Sequence, residues 1–225
     1  MGNMPMPGGT MSMMWTRMPG QWPGTATSFL IMWVPMMVLM MLPSLAPVLW
    51  RYCAVVRRSG QAHPVPLTAI VAAGYVVVWA AAGLSIIPIG RASTLLVHLS
   101  PFARVAPITT AAVMVIAGLL QHSRWKARHL AVCRAAQVRA YPLSGRVGDA
   151  WQYGLRMGLH CCASCAGPTA VMLTLGMMDM RVMAVATVGI AAERLAPDGA
   201  QVARSIGRLS IAGGVFVATV FAVLR

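Results

Sequence analysis

Apolar runs close to the length of a bilayer crossing recur along this chain, and its basic residues gather in the gaps between them. A hydrocarbon core needs roughly 20 apolar residues per helix. In lipid the backbone must also satisfy its own hydrogen bonds, which excludes open sheet. The pattern predicts an all-α, polytopic transmembrane helical bundle of about six spans. They fall at roughly 28–50, 67–88, 105–121, 150–177, 180–195 and 206–224, the fifth being short. Only 10% of residues are charged, against about 25% in an ordinary soluble domain. One transmembrane domain, 28–225, accounts for the bundle, with a Met-rich external tail at 1–27 and a basic cytoplasmic loop at about 122–149. Prolines 35, 43, 47 and 168 interrupt predicted spans, which membrane helices tolerate when neighbours satisfy the freed carbonyls.

The net charge of +14 raises nucleic acid as a partner, but the placement of the charge opposes it. The gaps after spans one, three and five hold Arg51, Arg57, Arg58, Arg124, Lys126, Arg128, Arg134, Arg139, Arg146, Arg194, Arg204 and Arg208. The other side holds Arg17, Arg91, Arg104, Arg181 and Arg225. By the positive-inside rule the richer side is cytoplasmic. The expectation is a multi-pass protein of bacterial inner-membrane type with its N-terminus outside, whose partner is the lipid bilayer and not nucleic acid. The first 27 residues lack the charged-then-apolar layout of a cleavable signal.

Soft ligands are the unusual part of the composition. Of 19 methionines, seven lie in the first 18 residues, with Met4 and Met6, then Met11 and Met13, as Met-x-Met pairs. Thioethers suit Cu(I) and bind hard cations poorly. Such a tail can collect copper outside the cell, or can be a Gly- and Pro-rich tail with no such role. The first span carries two doublets, Met36–Met37 and Met40–Met41, beside Met32. A methionine stripe at helical spacing is most often packing, although its place beneath a Met-rich tail favours ligation.

The fourth span carries "HCCASCAGP", residues 160–168. Cys161 and Cys165 stack at i and i+4, and Cys162 lies about 100° from both. Three readings stay open: packing, a redox pair at Cys162 and Cys165, or soft-metal coordination. The redox reading needs accessible, low-pKa thiols, which burial opposes. At 1.5 Å per residue these thiols and the first-span methionines come within about a turn of one depth. They can form one site if the first and fourth helices touch. Glu193, the only glutamate, and Arg194 read as anchors near an interface.

Residues 28–214 resemble an uncharacterised bacterial family, the predicted metal-binding integral membrane proteins. The resemblance rests on "WVPMMVLMMLPS", "WKARHLAVCR", "GLHCCASC" and "GMMDMRVMAVATVGIAAERLAP". His129 stands where that family has the first cysteine of its second motif, and Cys133 matches the second. Cys161 and Cys165 match the third motif, Ser164 replaces a cysteine, and Cys162 is additional. The resemblance implies a metal-binding membrane protein.

The resulting expectation is a membrane protein that binds copper, as Cu(I), for uptake, handling or delivery, with zinc as the other metal to consider. Met4, Met6, Met11 and Met13 would collect the ion. Met36, Met37, Met40, Met41, Cys161, Cys162 and Cys165 would hold it, and His129 and Cys133 would receive it. A cuproenzyme, a metallochaperone or a larger membrane complex would be the partner. A structural subunit and a membrane thiol oxidoreductase are the rival readings. No nucleophile triad, paired carboxylates or ATP-binding motif is present, so an enzyme is the less favoured class.

Overall fold

The computed structural model describes residues 22–60, 63–99, 106–138, 146–176 and 179–223. These residues form helices and no strand: α1 Trp22–Arg58, α2 Pro64–Leu99, α3 Ala106–Gln121, α4 Arg124–Val138, α5 Val147–Leu175, α6 Met180–Leu195 and α7 Gly199–Val223. Each predicted span thus falls on a helix, and the basic loop contains one more, α4.

Among the described residues, four of the six predicted spans fall on segments long and apolar enough to cross a membrane: Ala26–Arg58, Pro64–Ile89, Val147–Leu175 and Gly199–Val223. Helices α3 and α6 have 16 residues each, about 24 Å at 1.5 Å per residue, short of a hydrocarbon core of about 30 Å. The chain bears large apolar side chains on its outside, among them Ile31, Leu39, Ile89, Leu209 and Phe216. Water would penalise such a surface, whereas lipid would not.

Two tight helix pairs build the frame, and both depend on glycine. Along α2 and α5, a Cβ on Gly158 would stand 2.8 Å from Val78 Cβ, and one on Gly154 would run into the Val71 carbonyl. Along α3 and α7, a Cβ on Gly207 would meet Gly118 O at 2.9 Å. Small residues that let backbones approach are how helices gain contact where lipid removes the hydrophobic drive. Helix α1 lies against α2, pinned by Trp33 Nε1 donating to Trp79 O at 2.9 Å. It carries Pro35, Pro43 and Pro47 internally.

Helix α4 closes one end. It touches α1, α3, α5 and α6. Gln137 Nε2 donates to Ser44 O at 3.2 Å. The Arg134 guanidinium donates to Glu193 O at 3.0 Å and to Pro197 O at 2.7 Å, so a cation caps the carbonyl end of α6 where the helix dipole favours it. The short turns α3–α4 and α6–α7 meet at this end, and Cys133 of α4 reaches the sulfur cluster.

Candidate metal centre

Three helices converge on sulfur. Met36, Met37, Met40 and Met41 are all buried on α1, as are Cys161 and Cys165 on α5. The i, i+4 spacing puts both thiols on one face of α5. Met41 Sδ lies 3.8 Å from Cys161 Sγ. The first and fourth predicted spans therefore meet through their sulfur atoms. Met157, Cys161, Cys165 and Met172 continue as one buried stripe in the same apolar cluster as the α1 methionines. Pro168 lies one turn beyond. Lacking an N–H, it leaves the Ser164 carbonyl without its helical donor.

The third helix contributes a residue that sequence reasoning treated as an anchor. Arg194, near the end of α6, is 5% exposed. Its Nη2 donates to Cys161 Sγ at 2.9 Å, to Cys165 Sγ at 3.1 Å and to Ser164 Oγ at 3.1 Å. Its Nη1 donates to Ser44 Oγ of α1 at 3.1 Å. On the other side, Tyr75 Oη of α2 lies 2.8 Å from Cys161 Sγ. A buried guanidinium needs partners for its charge and its donors. Here they are sulfur and hydroxyl groups and the Cys161 carbonyl at 3.4 Å, with no carboxylate among them.

The adjacent glutamate faces another set of groups, as the 100° step between helical neighbours allows. Glu193 Oε2 pairs with Lys126 Nζ at 2.7 Å, and Gln121 Nε2 donates to Oε1 at 3.0 Å. Lys126 also donates to Gln121 Oε1. Burial pushes the Lys126 ammonium below the usual lysine range, and the Glu193 charge opposes that shift. Glu193 is thus committed to α3 and α4, and the thiols keep the guanidinium.

The remaining expected ligands divide. Cys133 on α4 is buried in the same cluster; burial pushes its thiol up and the Arg194 charge opposes this. His129, one turn earlier, meets His160 instead, Nδ1 to Nδ1 at 2.8 Å, with Trp125 against its ring. The expected His129–Cys133 pair is therefore split between two surroundings. Cys162 is half-buried and bonds to neither Arg194 nor the other thiols. Met4, Met6, Met11 and Met13 lie outside the described residues.

Chemically, the convergence is two thiols and one thioether with a guanidinium behind them. Two or three soft ligands suit a cuprous ion. A structural zinc site takes four ligands, commonly Cys or His. Among the described residues no three His, Cys, Asp or Glu side chains come together as a metal-holding group. Arg194, Ser44, Ser164 and Tyr75 were missed from sequence. The available signal was a lone glutamate followed by arginine inside an apolar run.

No curated protein and no solved structure matches this chain. Residues 30–217 match the family described as PpoB2, copper chaperone. That match begins just before the α1 methionines and extends past Arg194 into α7, covering every residue of the cluster. It spans well over half of the sequence, and the chain belongs to the PpoB2 copper chaperone family.

Proposed function

We propose that this chain is a multi-pass protein of the bacterial inner membrane that holds Cu(I) between Cys161 and Cys165, with Met41 as third ligand, and passes it to a cuproprotein. The observation that carries this reading is the 3.8 Å approach of Met41 Sδ to Cys161 Sγ, beside a guanidinium that contacts both thiols. The family match supports copper as the cargo. The exposed apolar side chains support lipid as the surrounding medium, with α3 and α6 as shorter crossings beside the four long ones.

In this reading the N-terminal tail lies outside and collects copper on Met4, Met6, Met11 and Met13. The buried α1 methionines, Met36, Met37 and Met40, form a soft-ligand approach to the thiols. Cys133 lies on the α4 side of the cluster and receives the ion, and α4 faces the cytoplasm by its basic charge. Moving between two- and three-coordinate sulfur sites never leaves the ion bare in lipid. Deep burial opposes the redox alternative, since disulfide exchange needs an accessible thiolate.

The test is complementation. Cells lacking this chain should under-metallate a copper enzyme at limiting copper, and the wild-type chain should restore it. A Cys161→Ser/Cys165→Ser variant that reaches the membrane should not. Full metallation of cuproenzymes without the chain would sink the delivery reading.

A further inference from the structure

The buried guanidinium has a consequence for which ions the centre accepts. Resting on the Cu(I) reading above, we propose that Arg194 sets the charge of the centre so that it holds a monovalent soft ion and rejects a divalent one.

A metal-bound cysteine is a thiolate, so Cys161 and Cys165 contribute two negative charges. Met41 is neutral. Arg194 adds one positive charge, held 2.9 Å and 3.1 Å from the two sulfurs. A monovalent ion brings this set to zero, while a divalent ion leaves one positive charge in the interior. With Cys133 as a neutral thiol, no carboxylate at the cluster absorbs that excess. The chain has only four acidic residues, and Glu193, beside Arg194 in sequence, is neutralised by Lys126 at 2.7 Å. The Tyr75 hydroxyl, Ser44 and Ser164 are neutral. The guanidinium repels each unit of charge on the ion, so at the dielectric that describes protein sites a divalent ion loses on the order of a hundredfold more affinity than a monovalent one.

Softness and charge are separated by comparing Ag(I) with Cd(II), both thiophilic. The full-length chain is purified in detergent without oxygen, and the affinity ratio of Ag(I) to Cd(II) is measured by competition. Arg194→Lys keeps the charge; Arg194→Gln removes it. Arg194→Leu removes it with an apolar side chain that brings no ligand atom and serves if the Gln variant fails to fold, since apolar replacement can spare the desolvation of a buried polar group. The expected result is that the ratio falls on the order of a hundredfold in the Gln or Leu variant, and stays within about threefold of wild type in the Lys variant. A ratio unmoved by removing the charge in a folded variant overturns the role of Arg194 and leaves the copper site standing. Failure of the wild-type chain to bind Ag(I) through Cys161 and Cys165 overturns the underlying site and this inference with it.

Discussion

Met41 Sδ and Cys161 Sγ lie 3.8 Å apart although 120 residues separate them in the chain. Neither helix needs this contact for its own hydrogen bonding. It arises because α1 and α5 both pack on α2, with Tyr75 of α2 reaching Cys161 from the other side. Met41→Leu keeps volume and apolarity, so stability should change by less than about 1.5 kcal/mol. Cu(I) affinity should fall about tenfold as one soft ligand is lost. Competition with a cuprous chelator measures this, and an unchanged affinity would remove Met41 from the site.

The three cysteines of the opening motif should separate. Cys161→Ser and Cys165→Ser should each reduce copper retained through detergent exchange, because each removes a thiol that Arg194 contacts. Cys162→Ser should retain wild-type copper, because that half-buried side chain packs against the cluster without a hydrogen bond to Arg194 or to the other thiols. Elemental analysis of the three purified variants decides it. Equal losses at all three positions would put Cys162 back among the ligands.

Lys126 and Glu193 form a buried pair that ties α4 to α6. Removing one partner strands the other charge, so Lys126→Met should cost about 3–5 kcal/mol. Lys126→Met with Glu193→Gln should recover much of that loss, since the pair leaves together. Thermal unfolding in detergent gives both values. A double variant no better than the single would mean that the pair is not what holds α4 in place.

Gly154 lies where a side chain would strike the Val71 backbone. Gly154→Leu should separate α5 from α2 and lower the melting temperature, by at least the 1–3 kcal/mol typical of overpacking. Gly148→Ala is the control, because nothing lies within 4 Å of a Cβ there. Equal melting temperatures for the two variants would contradict the close α2–α5 packing.

Much of the helical fold was legible because long apolar runs separated by basic gaps report directly on helix placement. The number long enough to cross a membrane was less so: α3 and α6 each have 16 residues, between a membrane helix and a core helix in length. The sulfur stripe was legible because helical spacing fixes which residues share a face. The fate of His129 and Cys133 was not. Residues four apart still differ by about 40° around a helix, enough for one to meet His160 and the other the Arg194 cluster. Arg194 itself looked like an interfacial anchor because charge near a helix end usually is one. Only the packing of α6 against α1 and α5 turns it inward. Ser44 and Tyr75 carry no sequence signal of their own, being defined by what approaches them.

The most direct measurement is the copper content of the full-length chain loaded with Cu(I) without oxygen, beside Cys161→Ser/Cys165→Ser, with X-ray absorption to identify the coordinating atoms. The account predicts about one tightly held copper per chain at this centre, surrounded by sulfur alone, and its loss in the double variant. Copper retained undiminished by the double variant, or coordinated mainly by nitrogen, would contradict it.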